Sequence, residues 1–411
     1  MSVNDTRQLP REHIREQGTF LEEARDLWRE NIRDYGMFIA LFLIMGFFAA
    51  VTDGLFISSR NIVNLLNQTG YIAVLAVGMT LVIIIRHIDL SVGFLAGFLG
   101  AVAAIAMVSW GLPAYLAIAV VLGLGILAGL LTSSLVAELG IPAFVATLAG
   151  WLGYRGALQL ATRATGTIVI PNDTFNAIGN GFIPDIPDIG LLPDMHIVTL
   201  LLGVLGIILF VFNEINSRRR MLSQGFEVIS TPMFAIKLLF ISALIGSIAW
   251  VLAGYRGLSW TAVVVLIVVL FYHFVTTRTV LGRHIYAVGG NPEAAELSGI
   301  SVKKITHIVF ASMGMLSALA GVLYASRLRS ATTTAGTLFE LDAIAAAFVG
   351  GVSAAGGVGT VLGSLIGALV MTSLTSGMNL MGIDISYQYI VRALVLAGAV
   401  IFDVVARRAG R

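Results

Sequence analysis

The sequence predicts an all-α, polytopic membrane protein: a bundle of about twelve transmembrane helices with both termini on the cytoplasmic side. Of the 411 residues, 57% are hydrophobic and only 12% are charged, whereas soluble globular proteins carry roughly 25% charged residues. Such a chain has too few polar side chains to cover a water-facing surface, so its apolar side chains must face lipid or one another. The length of the apolar runs and the placement of arginine and lysine point to the same fold class.

Twelve apolar runs are candidates for helices that cross the bilayer, whose hydrocarbon core needs about 20 residues of α-helix. The runs are 36–54, 70–86, 92–110, 113–136, 141–161, 195–213, 236–254, 258–276, 305–327, 341–356, 360–379 and 388–406. Together they define a transmembrane domain at 36–406. The run at 341–356 is short and flanked by glycine, so a re-entrant half-helix is an alternative to a full span.

Positive charge is distributed unevenly over the segments that connect these runs. If the N-terminus is cytoplasmic, the inner segments carry Arg7, Arg11, Arg15, Arg25, Arg29, Arg33, Arg218, Arg219, Arg220, Arg278, Arg283, Lys303, Lys304, Arg407, Arg408 and Arg411. The outer segments carry only Arg60, Arg163, Arg256, Arg327 and Arg329, and the long outer loop at 162–194 is acidic. Cytoplasmic loops of membrane proteins are enriched in arginine and lysine. This bias predicts an even number of spans with both termini inside.

The residues before the first run form a charged leader at 1–35. Leu21, Ala24, Trp28, Ile32 and Tyr35 recur at helical spacing with charged residues between them. This pattern is typical of an amphipathic helix on the membrane surface, and a solvated helical leader is an equal alternative. We expect no cleaved signal peptide, since the first apolar run starts late and is long. Residues 407–411 are predicted to be a cytoplasmic tail.

The motifs of the common catalytic sites are absent from the sequence. It contains no G-x-x-x-x-G-K-[ST] phosphate loop, no H-E-x-x-H and no G-x-S-x-G, so the chain is not its own P-loop ATPase. It has no cysteine, and its histidines are not spaced as metal ligands. We therefore expect no enzyme, no cofactor and no metal. Acidic residues within the apolar runs are few, which argues against a transporter driven by protons or sodium ions.

The inner loop at 278–304 contains a short predicted helix. Asn291 follows a glycine pair, Pro292 suits the first helical position, Glu293 suits the first turn, and Gly299 suits the end of the helix. A short helix in a basic cytosolic loop could dock into a groove of a partner. An ordinary helical connector is the alternative.

The residues of this loop, GRHIYAVGGNPEAAELSGI at 282–300, resemble the coupling loop of bacterial ABC permeases that import ribose, galactose, arabinose and xylose. Other segments agree in the same order: IDLSVG at 88–93, IPAFVATLAG at 141–150, ELDAIAAAFVGGVSAAGGVGTVLG at 340–363 and YQYIVRALVLAGAVIFD at 387–403. The resemblance covers most of residues 60–403. It implies a permease subunit that forms the path of a monosaccharide across the inner membrane, while a partner hydrolyses ATP.

The number of spans refines this resemblance. The family implies about ten spans, with one between the long outer loop and the coupling loop, whereas this chain has three there. The extra pair preserves sidedness and makes the chain more similar to the xylose-type permeases. We therefore expect a pentose, D-xylose first, as the solute. The alternatives are another small solute, such as a nucleoside or a signalling furanose, or an autonomous secondary transporter.

The resemblance also implies partners, namely a second copy of the chain, a cytosolic ABC ATPase, a periplasmic sugar-binding protein and membrane lipid, without nucleic acid. The residues expected to couple to the ATPase are Gly290, Asn291, Pro292, Glu293, Ala294, Ala295, Glu296, Leu297, Ser298, Gly299 and Ile300. The polar candidates for contact with the binding protein are Asn172, Asp173, Asn176 and Asn180 in the periplasmic loop. For any one of these four, a solvated acidic loop is the alternative.

Polar residues near the ends of the runs are candidates for the translocation path or its gate. They are Asn64, Asn67, Gln68, Asp89, Ser91, Glu340, Asp342 and Asn379. Amides supply both the donors and the acceptors that sugar hydroxyls need. Helix capping or packing is the alternative for Asp89, Ser91, Glu340 and Asp342, since these residue types are common at helix N-termini.

Overall fold

The computed structural model describes residues 20–186, 194–226 and 228–409. Its helices are α1 Phe20–Val51, α2 Ser59–Ile84, α3 Val92–Val108, α4 Ala114–Ala137, α5 Ala143–Thr162, α6 Asp173–Asn180, α7 Ile197–Ser223, α8 Thr231–Ala253, α9 Trp260–Arg278, α10 Val280–Gly290, α11 Pro292–Leu297, α12 Val302–Leu328, α13 Phe339–Val349, α14 Val361–Leu380 and α15 Ile385–Ala409. A 3-10 helix, Leu55–Ile57, precedes α2, and the strands are β1 Thr167–Val169 and β2 Ser330–Thr332.

The start of the predicted leader (1–19), residues 187–193 of the outer loop and the end of the tail (410–411) lie outside the described residues. The side chains of the leader's predicted apolar face lie outside them as well. The backbone of α1 is continuous from Phe20 to Val51. The second half of the leader and the first predicted span therefore form one helix.

Eight helices in the described part of the chain are long and apolar enough to cross a membrane: α2, α4, α7, α8, α9, α12, α14 and α15. Two apolar stretches are shorter, Gly36–Val51 within α1 and the whole of α3. The predicted class, a polytopic helical membrane protein, is confirmed. The helix within the predicted run 341–356 has only 11 residues, about 16 Å, and cannot by itself cross a core of about 30 Å.

The chain divides into two compact units. Its smaller unit contains Pro184–Gly257 and, of the described residues before Arg33, 20–32. The helices α7 and α8 of this unit contain the predicted extra pair of spans. Lys237 donates to Glu214 at 2.8 Å between these two helices, and the guanidinium of Arg218 lies 4.6 Å from the centre of the Phe234 ring. In each helix, only 6% of an apolar stretch of 18 residues is buried. This exposure suits a hairpin whose faces are solvated by lipid.

The larger unit is built around α12, which packs against α4, α3 and α2. The contact with α4 is formed by small residues: a Cβ built on Gly125 or Gly129 would overlap the backbone of α12 at Gly314 or Phe310. Close approach through small residues is the usual way in which membrane helices associate, since lipid gives no hydrophobic driving force between them. The antiparallel strands β1 and β2 attach the outer loop next to the end of α12.

Candidate functional site

The helix α3 begins beside the middle of α12. Gly321 of α12 lies against Ala96 and Gly100 of α3, and Gly100 also lies near Ala325, so the two helices run parallel. With a rise of 1.5 Å per residue, Val92 lies about 9 Å nearer the N-terminal end of α12 than this contact. The N-terminus of α3 is therefore inside the unit and not at its edge.

The N-terminus of α13 meets that of α3 at this depth. After β2, the chain turns inward to Gly336, whose φ of 85° places it in the left-handed region. A Cβ on Gly336 would overlap the carbonyl of Gly93 in the first turn of α3, and a Cβ on Gly93 would overlap the Glu340 carboxylate. Two short helices thus point their N-termini at one region. Transporters commonly build midplane sites from discontinuous helices of this kind.

One buried carboxylate lies at this meeting point and another lies just before α3. Asp89 is 3% exposed, and its Oδ1 accepts from the Ser91 amide at 2.9 Å and from the Ser91 hydroxyl at 2.6 Å. Asp89 thus closes the turn before α3 onto the N-cap residue Ser91, whose side chain makes no capping bond to the helix. Glu340 is 4% exposed, and its Oε1 accepts from Trp151 Nε1 at 2.9 Å.

The second carboxylate oxygen of Glu340 is different. Within the described part of the chain, Oε2 is buried and has no hydrogen-bond partner. A buried polar atom without a partner costs about 1–3 kcal/mol, and a carboxylate oxygen costs more. The N-terminal charge of the helices offsets part of this penalty. Capping alone does not explain Oε2, which lies against Gly93 in the first turn of α3.

An aromatic cluster adjoins the start of α13. Tyr71 of α2, Tyr324 of α12 and Phe339 of α13 have ring centroids between 4.7 and 5.1 Å apart. Beside them, Asp342 forms an ion pair with Arg392 of α15. These three rings are not among the residues predicted from the sequence. The ion pair, in contrast, has a signal in the sequence, because Arg392 lies in an apolar run and requires a partner of opposite charge.

The remaining predicted path residues are placed elsewhere. Asn64, Asn67 and Gln68 lie in the N-terminal half of α2, before Tyr71, and only Asn67 among the three is buried. Its Oδ1 has no partner among the residues that are described. Asn379 accepts from Gln388 Nε2 at 2.7 Å near the turn between α14 and α15. The structure thus places Glu340 against Gly93 in the first turn of α3, the helix that Asp89 and Ser91 precede.

The predicted coupling helix is α11, preceded by α10. Asn291 is its N-cap, with Oδ1 accepting from the Ala294 amide at 3.1 Å, and Gly299 has a φ of 85° after the helix. Leu297 is 91% exposed, whereas Ala295 is 5% exposed and faces the permease itself. The face available to a partner therefore carries Leu297 and Ala294.

An exposed ion pair joins two helices next to this loop. Glu138, at the end of α4, accepts from Lys303 of α12 at 2.8 Å, and His307 Nε2 lies 3.3 Å from its other oxygen. The hydrogen bond from Lys303, aided by the one with His307, lowers the pKa of the Glu138 carboxyl. Because the pair is exposed, its contribution to stability is small.

The predicted binding-protein residues mostly hold the outer loop in place. Asn172 caps α6 by accepting from the Phe175 amide at 2.9 Å, and Asn176 donates to Ile170 O at 2.8 Å. Asn180 donates to the carbonyl of Ser326 at 2.7 Å, at the end of α12. Of the four candidates, all of them described, Asp173 alone is exposed. In the residues that the structure covers, no group of three or more His, Asp or Glu could hold a metal ion.

Comparison with known proteins accounts for this architecture. Residues 61–400 match the family described as branched-chain amino acid transport system / permease component. The chain is 40% identical over 368 residues to the xylose transport system permease protein XylH of Haemophilus influenzae, covering 89% of this chain and 95% of that relative. It is 41% identical over 374 residues to XylH of Escherichia coli K12, covering 90% and 92%.

The ribose import permease protein RbsC of Haemophilus influenzae is 37% identical over 369 residues, covering 89% of this chain and 91% of the relative. No solved structure gives a significant match to the chain. The relatives match nearly the whole chain, and the resemblance carried by the inner loop is confirmed. The chain therefore belongs to this family of transport-system permease components, and it is similar to the xylose-type members, which serve sugar ABC importers.

Proposed function

We propose that this chain forms the membrane path for D-xylose in an ABC importer. The observation that carries the proposal is the identity of 40–41% to two xylose permeases along almost the whole chain, against 37% to a ribose permease. As a sugar permease of this family, the chain lies in the bacterial inner membrane and works with an ATPase and a binding protein, and it is not itself an enzyme. The named relatives do not favour a nucleoside or a furanose signal.

The path is proposed to pass the meeting point of α3 and α13. Sugar hydroxyls both donate and accept hydrogen bonds, and Glu340 Oε2 is an acceptor without a partner among the described residues. The aromatic cluster of Tyr71, Tyr324 and Phe339 lies beside it and could pack against the apolar face of a pentose. Two copies of the chain, embedded in lipid, are proposed to enclose the complete path.

The proposed topology retains twelve crossings with both termini in the cytoplasm. The tenth is a broken crossing over 333–360, in which turns at 333–338 lead to the start of α13, and α13 with its following loop covers the inner half. This arrangement is supported by the contacts of Gly336 with the start of α3 and of Gly357 with the end of α2. An even count is also what the distribution of arginine and lysine predicts.

The partners are proposed to dock on opposite ends. The ATPase would bind the inner side through α11, where Leu297 is exposed, and a sugar-loaded binding protein would bind the outer side near Asp173. ATP-driven closure of the ATPases would then move α11 and switch the path between outward-facing and inward-facing packings.

Uptake by reconstituted vesicles tests the proposal. Purified permease is incorporated with its ATPase, ATP inside and binding protein outside, and labelled D-xylose, D-ribose and a nucleoside are compared. We expect ATP-dependent uptake of D-xylose that exceeds the uptake of the other two. Uptake of another solute in place of D-xylose would refute the proposed substrate. Uptake driven by a proton gradient without ATP would refute the importer itself.

A further inference from the structure

Arg86, in the turn after α2, holds the C-terminal end of α10. Its Nε donates to the carbonyl of Gly289 at 2.6 Å, and its terminal guanidinium nitrogen donates to the carbonyl of Gly290. These are among the last carbonyls of a helix, which have no partner within the helix and carry partial negative charge. A guanidinium in this position forms charge-assisted bonds, which are stronger than neutral ones.

The backbone of Arg86 is itself unusual. Its φ is 66°, a left-handed conformation that a residue other than glycine adopts at a cost of about 1–2 kcal/mol. The surrounding contacts therefore hold the residue in this conformation. The strained turn aims the side chain at α10, which is the helix that leads into α11.

A third segment joins the two, namely the glycine-rich loop at 350–359 that follows α13. The amide of Gly357 donates to Ile84 O at 2.9 Å, and the Tyr286 hydroxyl of α10 donates to Gly359 O at 2.7 Å. A Cβ on Gly289 would overlap Ile84 O, and a Cβ on Gly356 would overlap the Arg86 side chain. The end of α2, the end of α10 and this loop thus touch backbone to backbone, and we call them the three-way joint.

The joint lies at one end of α13, and Glu340 lies at the other. Between them is a single helix of 11 residues, about 16 Å long, which packs against α14 and α2. A displacement of α10 that carries the loop with it also displaces α13. It therefore reaches the meeting point of α13 with α3 at mid-depth.

We propose that Arg86 is the positioning residue that couples the ATPase-docking helix to the translocation path, by fixing α10 to the end of α2, on which the loop that follows α13 is also held. The inference rests on the proposed docking of the ATPase at α11. When Arg86 is lost, α11 can still bind and follow the ATPase, but its movement no longer reaches α13. Loss of Arg86 thus separates ATP hydrolysis from transport without removing either the docking surface or the path.

The test uses the complete importer in proteoliposomes with Arg86→Ala, Arg86→Lys and Tyr286→Phe, and with Arg283→Ala as a matched control on an exposed arginine of α10. The measured quantities are ATPase retention, ATP hydrolysis and sugar moved per ATP. For Arg86→Ala we expect retention and hydrolysis within about twofold of the wild type and a loss of at least tenfold in sugar per ATP. Arg86→Lys and Tyr286→Phe should each give a partial loss, and Arg283→Ala should behave as the wild type.

A second readout follows the path directly. The chain has no cysteine, so Thr337→Cys, exposed just before α13, places one reactive thiol in the whole permease. In the otherwise wild-type chain, the labelling rate of this thiol should change when ATP is added. In the double variant with Arg86→Ala, the labelling rate should be the same with and without ATP. ATP-dependent labelling that persists in the double variant would overturn the inference.

Other outcomes separate the two proposals. If the Arg86→Ala permease does not assemble with the ATPase, the test depends on Arg86→Lys and Tyr286→Phe. If both of these variants transport as much sugar per ATP as the wild type, the inference is overturned. Parallel loss of hydrolysis and transport would also overturn it, because that pattern belongs to a docking or folding residue. A wild-type permease that binds no ATPase and shows no ATP-dependent uptake would instead refute the proposed function.

Discussion

Truncation of Leu297 to alanine is the sharpest test of the docking surface. The side chain is 91% exposed in the isolated chain, so almost all of its apolar area is available to a partner. Removing about three carbons at roughly 0.8 kcal/mol each gives about 2 kcal/mol of lost burial. At 1.4 kcal/mol per tenfold change, the affinity of the ATPase should fall roughly 30-fold.

The affinity is measured by titrating the ATPase onto permease held in nanodiscs. Leu139→Ala is the matched control, because Leu139 follows α4 on the same predicted side and is 69% exposed. We expect the control to change the affinity less than about threefold. A loss below threefold for Leu297→Ala, or an equal loss for both variants, would refute docking through α11.

Three further predictions concern the interior of the larger unit and the ion pair at the end of α4. Gly93→Ala should destabilise the permease by about 1–3 kcal/mol, seen as a lower thermal midpoint, because the added Cβ would overlap the Glu340 carboxylate. The control Gly123→Ala should be neutral, because a Cβ on Gly123 meets no described atom within 4 Å. Glu340→Gln should keep the fold and the contact with Trp151 but lower D-xylose uptake at least tenfold, and normal uptake would exclude the carboxylate from the path. The Glu138 pKa is lowered in the folded state, so its stabilisation exists above the ordinary glutamate pKa and is lost as the pH falls through the folded value. Between pH 6 and pH 3.5 the thermal midpoint of the wild type should therefore fall more than that of Glu138→Gln, and equal falls would contradict the ion pair.

The membrane class of the protein and the helix of the inner loop can be predicted from the sequence. Composition and run length decide whether a chain must face lipid, because both act through the average environment of many residues. The turn at Asn291 and Pro292 and the end at Gly299 are local, since capping depends on neighbours within one turn. These features need no knowledge of distant contacts.

The depth of the α3 N-terminus within the larger unit cannot be predicted from the sequence. The segment with Asp89 and Ser91 has the composition of an ordinary turn, and only packing against α12 places it inside the unit. The aromatic cluster of Tyr71, Tyr324 and Phe339 combines three helices that are distant in the chain. The periodicity of apolar residues within one helix does not indicate which residues of other helices it will contact.

The outer-loop asparagines illustrate a different limit. Asn176 and Asn180 look like solvated contact residues in the sequence, yet their side-chain amides bond to backbone carbonyls. An asparagine is equally suited to bind a partner and to satisfy a carbonyl of its own chain. The choice depends on which carbonyls the fold leaves without an amide nearby.

The glycine contact between α4 and α12 has an entropic consequence. Glycine and alanine have no rotamers to lose, so helices that touch through them can be held together without freezing any side chain. At Gly125, Gly129 and Gly314 the contact is mainly between backbones, and the ends of the two helices are linked by Glu138 and Lys303. This pair of helices therefore associates with little loss of side-chain entropy.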